Sequence, residues 1–186
     1  MTSYLFLVLT FYLPVMLQPL RPSPWFLGLI FFMTFVLPMI NFVFLRISGS
    51  ISDITMPLRH QRILPFIFVS ILYGVVTLMF YWKFPVPNVL KLLIIVTSMI
   101  VIATVLTFFV KVSVHSLAMA GAIGILLPLN NISVDGGLLI PTAIIIAVAG
   151  AVMSARLMLN AHTPREVLIG SLTGFVIGFG GMILLF

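Results

Sequence analysis

Val89-Leu-Lys-Leu-Leu-Ile-Ile-Val-Thr-Ser-Met-Ile-Val-Ile-Ala-Thr-Val-Leu-Thr-Phe-Phe-Val110 is the stretch whose reading decides the fold. Its one charge, Lys91, sits near its start, and neither glycine nor proline interrupts it. A helix rises about 1.5 Å per residue, so this run reaches across a hydrocarbon core of roughly 30 Å. It is apolar on every side, which suits lipid and not water. Similar runs flank it: Tyr4–Gln18, Trp25–Leu45 and Ile63–Tyr81 before, and Val114–Leu129, Leu138–Leu159 and Val167–Leu185 after. Breaks between them carry Pro19, Pro22 and Pro24, Ser48-Gly49-Ser50, Pro85 and Pro87, or Asn130-Asn131 and Gly136-Gly137, the residues that end helices and form turns.

The whole chain has the same character. Of its 186 residues 62% are hydrophobic and 6% charged, where a soluble domain carries roughly 25% charged residues. Mean hydropathy is +1.35. So few charges cannot cover a water-facing surface. The expected fold is therefore all-α, a polytopic transmembrane helical bundle of six to seven helices in one domain spanning 1–186. The run Tyr4–Gln18 is short for a span, so it is expected to tilt, to cross imperfectly or to lie at the interface. Trp25, Tyr81 and Trp82 stand at run ends, as interfacial aromatics do. Gly170-x3-Gly174-x3-Gly178 predicts a helix face that lets a neighbouring backbone come close. No basic residue precedes the first apolar run, so a cleaved signal peptide is not expected.

With no cysteine, thiol nucleophiles and Cys-ligated metals are excluded. Nine Lys and Arg stand against three Asp and Glu, a net charge of +6. Basic residues in this setting orient a membrane protein or hold anionic headgroups. They form no soluble basic stripe, so nucleic acid is not an expected partner.

The polar residues able to do chemistry fall in three clusters. One is Asp53, Arg59, His60 and Arg62; the next is Lys111, Ser113, His115 and Ser116; the last is Arg156, Asn160, His162, Thr163 and Glu166. Two apolar runs separate each cluster from the next. An even number of crossings returns the chain to the same side, so all three are expected at one membrane face. Arg21, Lys83, Lys91 and Asp135 fall on the other. Each basic residue at a helix end also has a plain reading as an anchor or topology signal. All three histidines in the clusters, beside cations and a carboxylate, point instead to holding a phosphate and attacking it.

In the last cluster Arg156 precedes His162 by six residues and Glu166 follows it by four. Thr163 suits an N-cap, Pro164 the first helical position and Glu166 the third, which makes a capping box. His162 then lies just ahead of a helix N-terminus, where free N–H groups favour an anion. Glu166 is open to two readings, cap alone or partner of His162. Ser113 is placed to cap the helix that carries His115.

These residues resemble the type 2 phosphatidic acid phosphatase superfamily over roughly residues 53–186, with residues 1–48 as additional N-terminal helices. Its third motif, S-R-x5-H-x3-D, is matched in spacing by Ala155-Arg156, His162 and Glu166, with Ala for Ser and Glu for Asp. Its second, P-S-G-H, is met by Val112-Ser113-Val114-His115, which lacks the Pro and Gly. Its first, K-x6-R-P, keeps Arg62, with Thr55 at the Lys position and Ile63 at the Pro, and Arg59 as a substitute for the Lys. The resemblance implies a membrane lipid phosphatase that needs no metal or cofactor. Its substrate would be a phosphate monoester or diphosphate on a membrane lipid. His162 would attack phosphorus, Glu166 orient it and His115 protonate the leaving group. Arg156, Arg62, Arg59, Lys111 and Ser113 would hold the phosphate. It also implies the outer face of a bacterial cytoplasmic membrane. The competing expectations are a weakened family member that binds or moves phospholipids, and a small transporter.

Overall fold

A computed structural model describes residues 1–18, 24–51, 59–84, 86–132 and 137–186. The chain is an all-α bundle; no strand occurs among the described residues. Its helices are α1 (Thr2–Tyr12), α2 (Pro24–Ile47), α3 (His60–Lys83), α4 (Pro87–Thr107), α5 (Val114–Ile132), α6 (Leu139–Met158) and α7 (Pro164–Leu185). Five of them, α2, α3, α4, α6 and α7, are long and apolar enough to cross a membrane. Side chains in mid-helix, such as Leu78, Ile146 and Val176, face outward. A continuous apolar exterior of this kind is what helices show to lipid.

The first apolar run is shorter as a helix than its length in sequence. Proline has no N–H to donate and its ring crowds the carbonyl four residues back, so Pro14 stops α1 at Tyr12 and a 3₁₀ turn, Pro14–Leu17, follows. One face of the helix packs into the bundle, with Leu5, Phe6 and Leu9 fully buried, while Leu7 and Phe11 on the other are exposed. Within α2 a π-helical turn covers Phe32–Val36. Trp25 at the start of α2, with Tyr81 and Trp82 at the end of α3, is exposed, as expected of an interfacial belt.

Helices α5 and α7 make the closest pair. They run parallel, because Gly170 faces the Ser113 carbonyl, Gly174 that of Leu117 and Gly178 that of Gly121, in steps of four in the same direction. Gly124 on α5 returns the contact, with Phe175 O and Phe179 N both 2.8 Å from where its Cβ would stand. Each missing side chain is the space that the other backbone occupies. A Cβ on Gly174 would overlap the Leu117 backbone, whereas one on Gly180 meets nothing within 4 Å. Gly174→Ala is therefore expected to lower stability by about 1–3 kcal/mol, the usual cost of overpacking. Gly180→Ala should be neutral or slightly stabilising. Thermal unfolding of both variants in one detergent checks the pair.

Candidate active site

The parallel α5–α7 pair brings two helix N-termini to the same end of the bundle. Ser113 precedes α5, and its hydroxyl accepts the Ser116 N–H at 3.4 Å. Thr163 caps α7 by accepting the Glu166 N–H at 3.3 Å, and the Glu166 carboxylate accepts the Thr163 N–H at 3.4 Å, a complete capping box. The Ser113 N–H donates to the Glu166 carbonyl at 3.3 Å and ties the two ends together. Both termini direct positive dipole ends toward this region.

His162 reaches the site through the end of α6. Asn160 adopts a left-handed backbone, φ 51°. Its N–H donates to the Leu157 carbonyl, and Ala161 N–H donates to that of Arg156 at 3.1 Å. This pair of bonds is the Schellman closure of a helix, and asparagine tolerates the left-handed position better than most side chains. The reversal carries the chain back so that His162 N–H also approaches the Arg156 carbonyl, at 3.4 Å. Sequence reading placed Asn160 in the cluster without assigning it this turn. An asparagine at the end of an apolar run, three residues before a threonine-proline helix start, was the available signal.

His162 is buried, 8% exposed, and its Nδ1 lies 2.7 Å from Glu166 Oε2. Beside a carboxylate Nδ1 carries the proton, which leaves the Nε2 lone pair free. The same Oε2 receives the Thr163 N–H, so Glu166 caps the helix and holds the imidazole at once. Burial holds His162 below its ordinary pKa of 6.5; Arg62 and Lys111 add to the fall, against an upward pull from the Glu166 hydrogen bond and charge. The imidazole is therefore neutral at neutral pH.

Around this pair, Arg62 is buried at the start of α3 and points Nη1 toward the Val112 carbonyl at 3.5 Å. It lies within electrostatic reach of Glu166 and Arg156. His115, the second residue of α5, lies within reach of Arg156, His162 and Arg62. Lys111 donates to the Ala161 carbonyl at 3.0 Å. Together with His162, Glu166 and Asn160, it lines a polar cavity of about 370 Å³. Glu166 is the one carboxylate side chain among the described residues, and its charge acts on Arg62 of α3.

Two more of the expected phosphate ligands bond within the protein. Ser113 is fully buried, its hydroxyl shared between the Ser116 hydroxyl at 2.8 Å and the Ser116 N–H. It fixes the helix end that carries His115. Arg59 is exposed and donates to the Phe109 carbonyl at 2.6 Å, which binds the start of α3 to the end of α4. Asp53, Thr55, Arg21 and Asp135 lie outside the described residues. Among the described residues no three His, Cys, Asp or Glu come together as metal ligands.

No family model, no curated protein and no solved structure matches the chain.

Proposed function

We propose that the chain is a membrane lipid phosphatase that hydrolyses a phosphate monoester or diphosphate through a phosphohistidine on His162. The observation that carries this reading is the His162–Glu166 pair, 2.7 Å apart at the mouth of α7, with Arg62, Arg156, Lys111 and His115 around it. A neutral, buried imidazole with an oriented lone pair is a nucleophile. The surrounding cations and helix ends suit the charge of a phosphoryl group.

In the proposed reaction Nε2 of His162 forms a bond to phosphorus as the bond to the lipid oxygen breaks, and His115 gives that oxygen its proton. Burial and the charges of Arg156, His162 and Arg62 hold the free His115 down to about 4, so it takes up this proton with the phosphate monoanion that it binds. Water then attacks the phosphohistidine, His115 takes the proton back, the N–P bond breaks and phosphate leaves. Arg62 and Arg156 offset the charge on the non-bridging oxygens through both steps. Phosphate release from a panel of lipid phosphates by the protein in detergent tests the proposal. Binding without release would favour the alternative of a phospholipid-binding protein. One feature favours that alternative, Val114, whose Cβ stands just before His115 where the resembling motif has glycine.

The pH profile separates the two roles of Glu166. A protonated imidazole has no lone pair, so kcat/KM is expected to fall on the acid side below pH 6.5, since the His162 pKa lies under that value. Glu166→Gln keeps a side chain suited to the capping box but removes the charge that lifts the His162 pKa. Its acid limb should move to lower pH while kcat drops. An unchanged limb and rate would leave Glu166 with the cap alone. Glu166→Asp, which restores the residue of the resembling motif, should retain activity.

A further inference from the structure

A second cavity, of about 230 Å³, lies inside the bundle between α2, α3, α4 and α5, closed by the residues at the start of α1. We propose that it seats one hydrocarbon chain of the lipid phosphate and that the chain enters sideways from the bilayer through the wall formed by α2. The proposal rests on the lipid-phosphate reading of the His162 site and adds to it the part of the substrate that the polar cavity leaves unaccounted for.

Continuity with the site comes from α3. Arg62, Phe66, Val69 and Tyr73 recur at helical spacing on one face. Arg62 at the top faces Val112 and the field of Glu166, and the next three line the cavity. A phosphate held near Arg62 therefore has the cavity directly beneath it. From Arg62 to Tyr73 the helix descends about 16 Å at its ordinary rise, close to the roughly 15 Å depth of one leaflet's hydrocarbon. A chain of ordinary length would end at Tyr73.

The lining suits hydrocarbon. Its hydroxyls are already bonded within the protein: Thr2 to Tyr73, Tyr73 to the Thr34 carbonyl, Thr34 to the Ile30 carbonyl and Thr104 to the Ile100 carbonyl. A guest that needs hydrogen bonds finds no open partner in these groups, whereas a guest that needs none fits. Left empty, an apolar space of this size is a cost to stability. The opening is marked by Phe35, which lines the cavity and is also 51% exposed. It belongs to the π-helical turn of α2, a distortion often found at functional sites.

The test uses the full chain in detergent and a long-chain alkyl phosphate with a photoreactive diazirine at the chain end. Cross-links are expected on the residues around Tyr73, and the matching alkyl alcohol should label them weakly. Ala103→Phe and Ala118→Phe put a ring into the cavity from α4 and α5. They should raise KM for the long-chain phosphate roughly tenfold or more and leave hydrolysis of butyl phosphate unchanged. Cross-links confined to outward-facing residues, equal labelling by the alcohol, or an unchanged KM in both variants would overturn the proposal. If the wild type hydrolyses neither long nor short phosphates, the phosphatase reading fails, and the cross-links still decide the cavity. They also decide it if a phenylalanine variant does not fold.

Discussion

His162→Ala is expected to leave no measurable phosphate release from any lipid phosphate that the wild type hydrolyses. Removal of a covalent nucleophile costs on the order of 10⁶-fold in kcat in hydrolases where it has been isolated. Among the described residues no other side chain is placed to take over. Ser113 and Ser116 are fully buried and bonded to each other, and the chain has no cysteine. His115 is held on a different helix, within the field of the same cations. The loss should not come from unfolding, because the alanine leaves the Thr163 cap and the Ser113–Glu166 bond in place. A thermal midpoint near that of the wild type, measured beside the assay, separates a lost nucleophile from a lost fold. Equal release by both proteins would end the phosphatase reading and leave the phospholipid-binding one.

His115→Ala is expected to slow hydrolysis of a lipid phosphate monoester by about 10²–10⁴-fold, the usual worth of general acid help. The deficit should depend on what leaves. A monoester expels an alkoxide, which needs a proton as the bond breaks. A diphosphate expels a phosphate monoester, a far weaker base, which needs little protonation. The variant should therefore come nearer to the wild-type rate on a lipid diphosphate, towards the lower end of that range. Steady-state kcat on one lipid carried as monoester and as diphosphate makes the comparison. Equal deficits on both would assign His115 to holding the phosphate. The α5–α7 packing bears on this result, since Gly170 and Gly174 let α7 lie against the Ser113 and Leu117 carbonyls that flank the His115 turn.

The long apolar runs made the bundle legible, because lipid solvation leaves its mark on every residue of a span. Local chemistry was legible for the same reason: Thr163-Pro164-Arg165-Glu166 contains everything its capping box needs. Pro14 was readable in principle as a stop for α1, but an unbroken apolar count hid it. What could not be read from the chain came from distance. The sequence left Glu166 between cap and partner of His162, and the structure has one oxygen, Oε2, serving both. Lys111 and Arg59 were expected to hold phosphate, and each also meets a carbonyl 50 positions away, at Ala161 and at Phe109. The inner cavity draws its walls from residues as far apart as Thr2 and Ala118, so no local pattern announces it.

The phosphoryl-enzyme itself is the most direct measurement. Wild-type protein in detergent would be given a lipid phosphate radiolabelled at phosphorus, quenched in alkali during turnover, digested and mapped. Label is expected on the peptide that contains His162, stable to alkali and lost in acid, and absent from His162→Ala. Phosphate released at the full rate with no label on His162, or no release from any lipid phosphate, would contradict it.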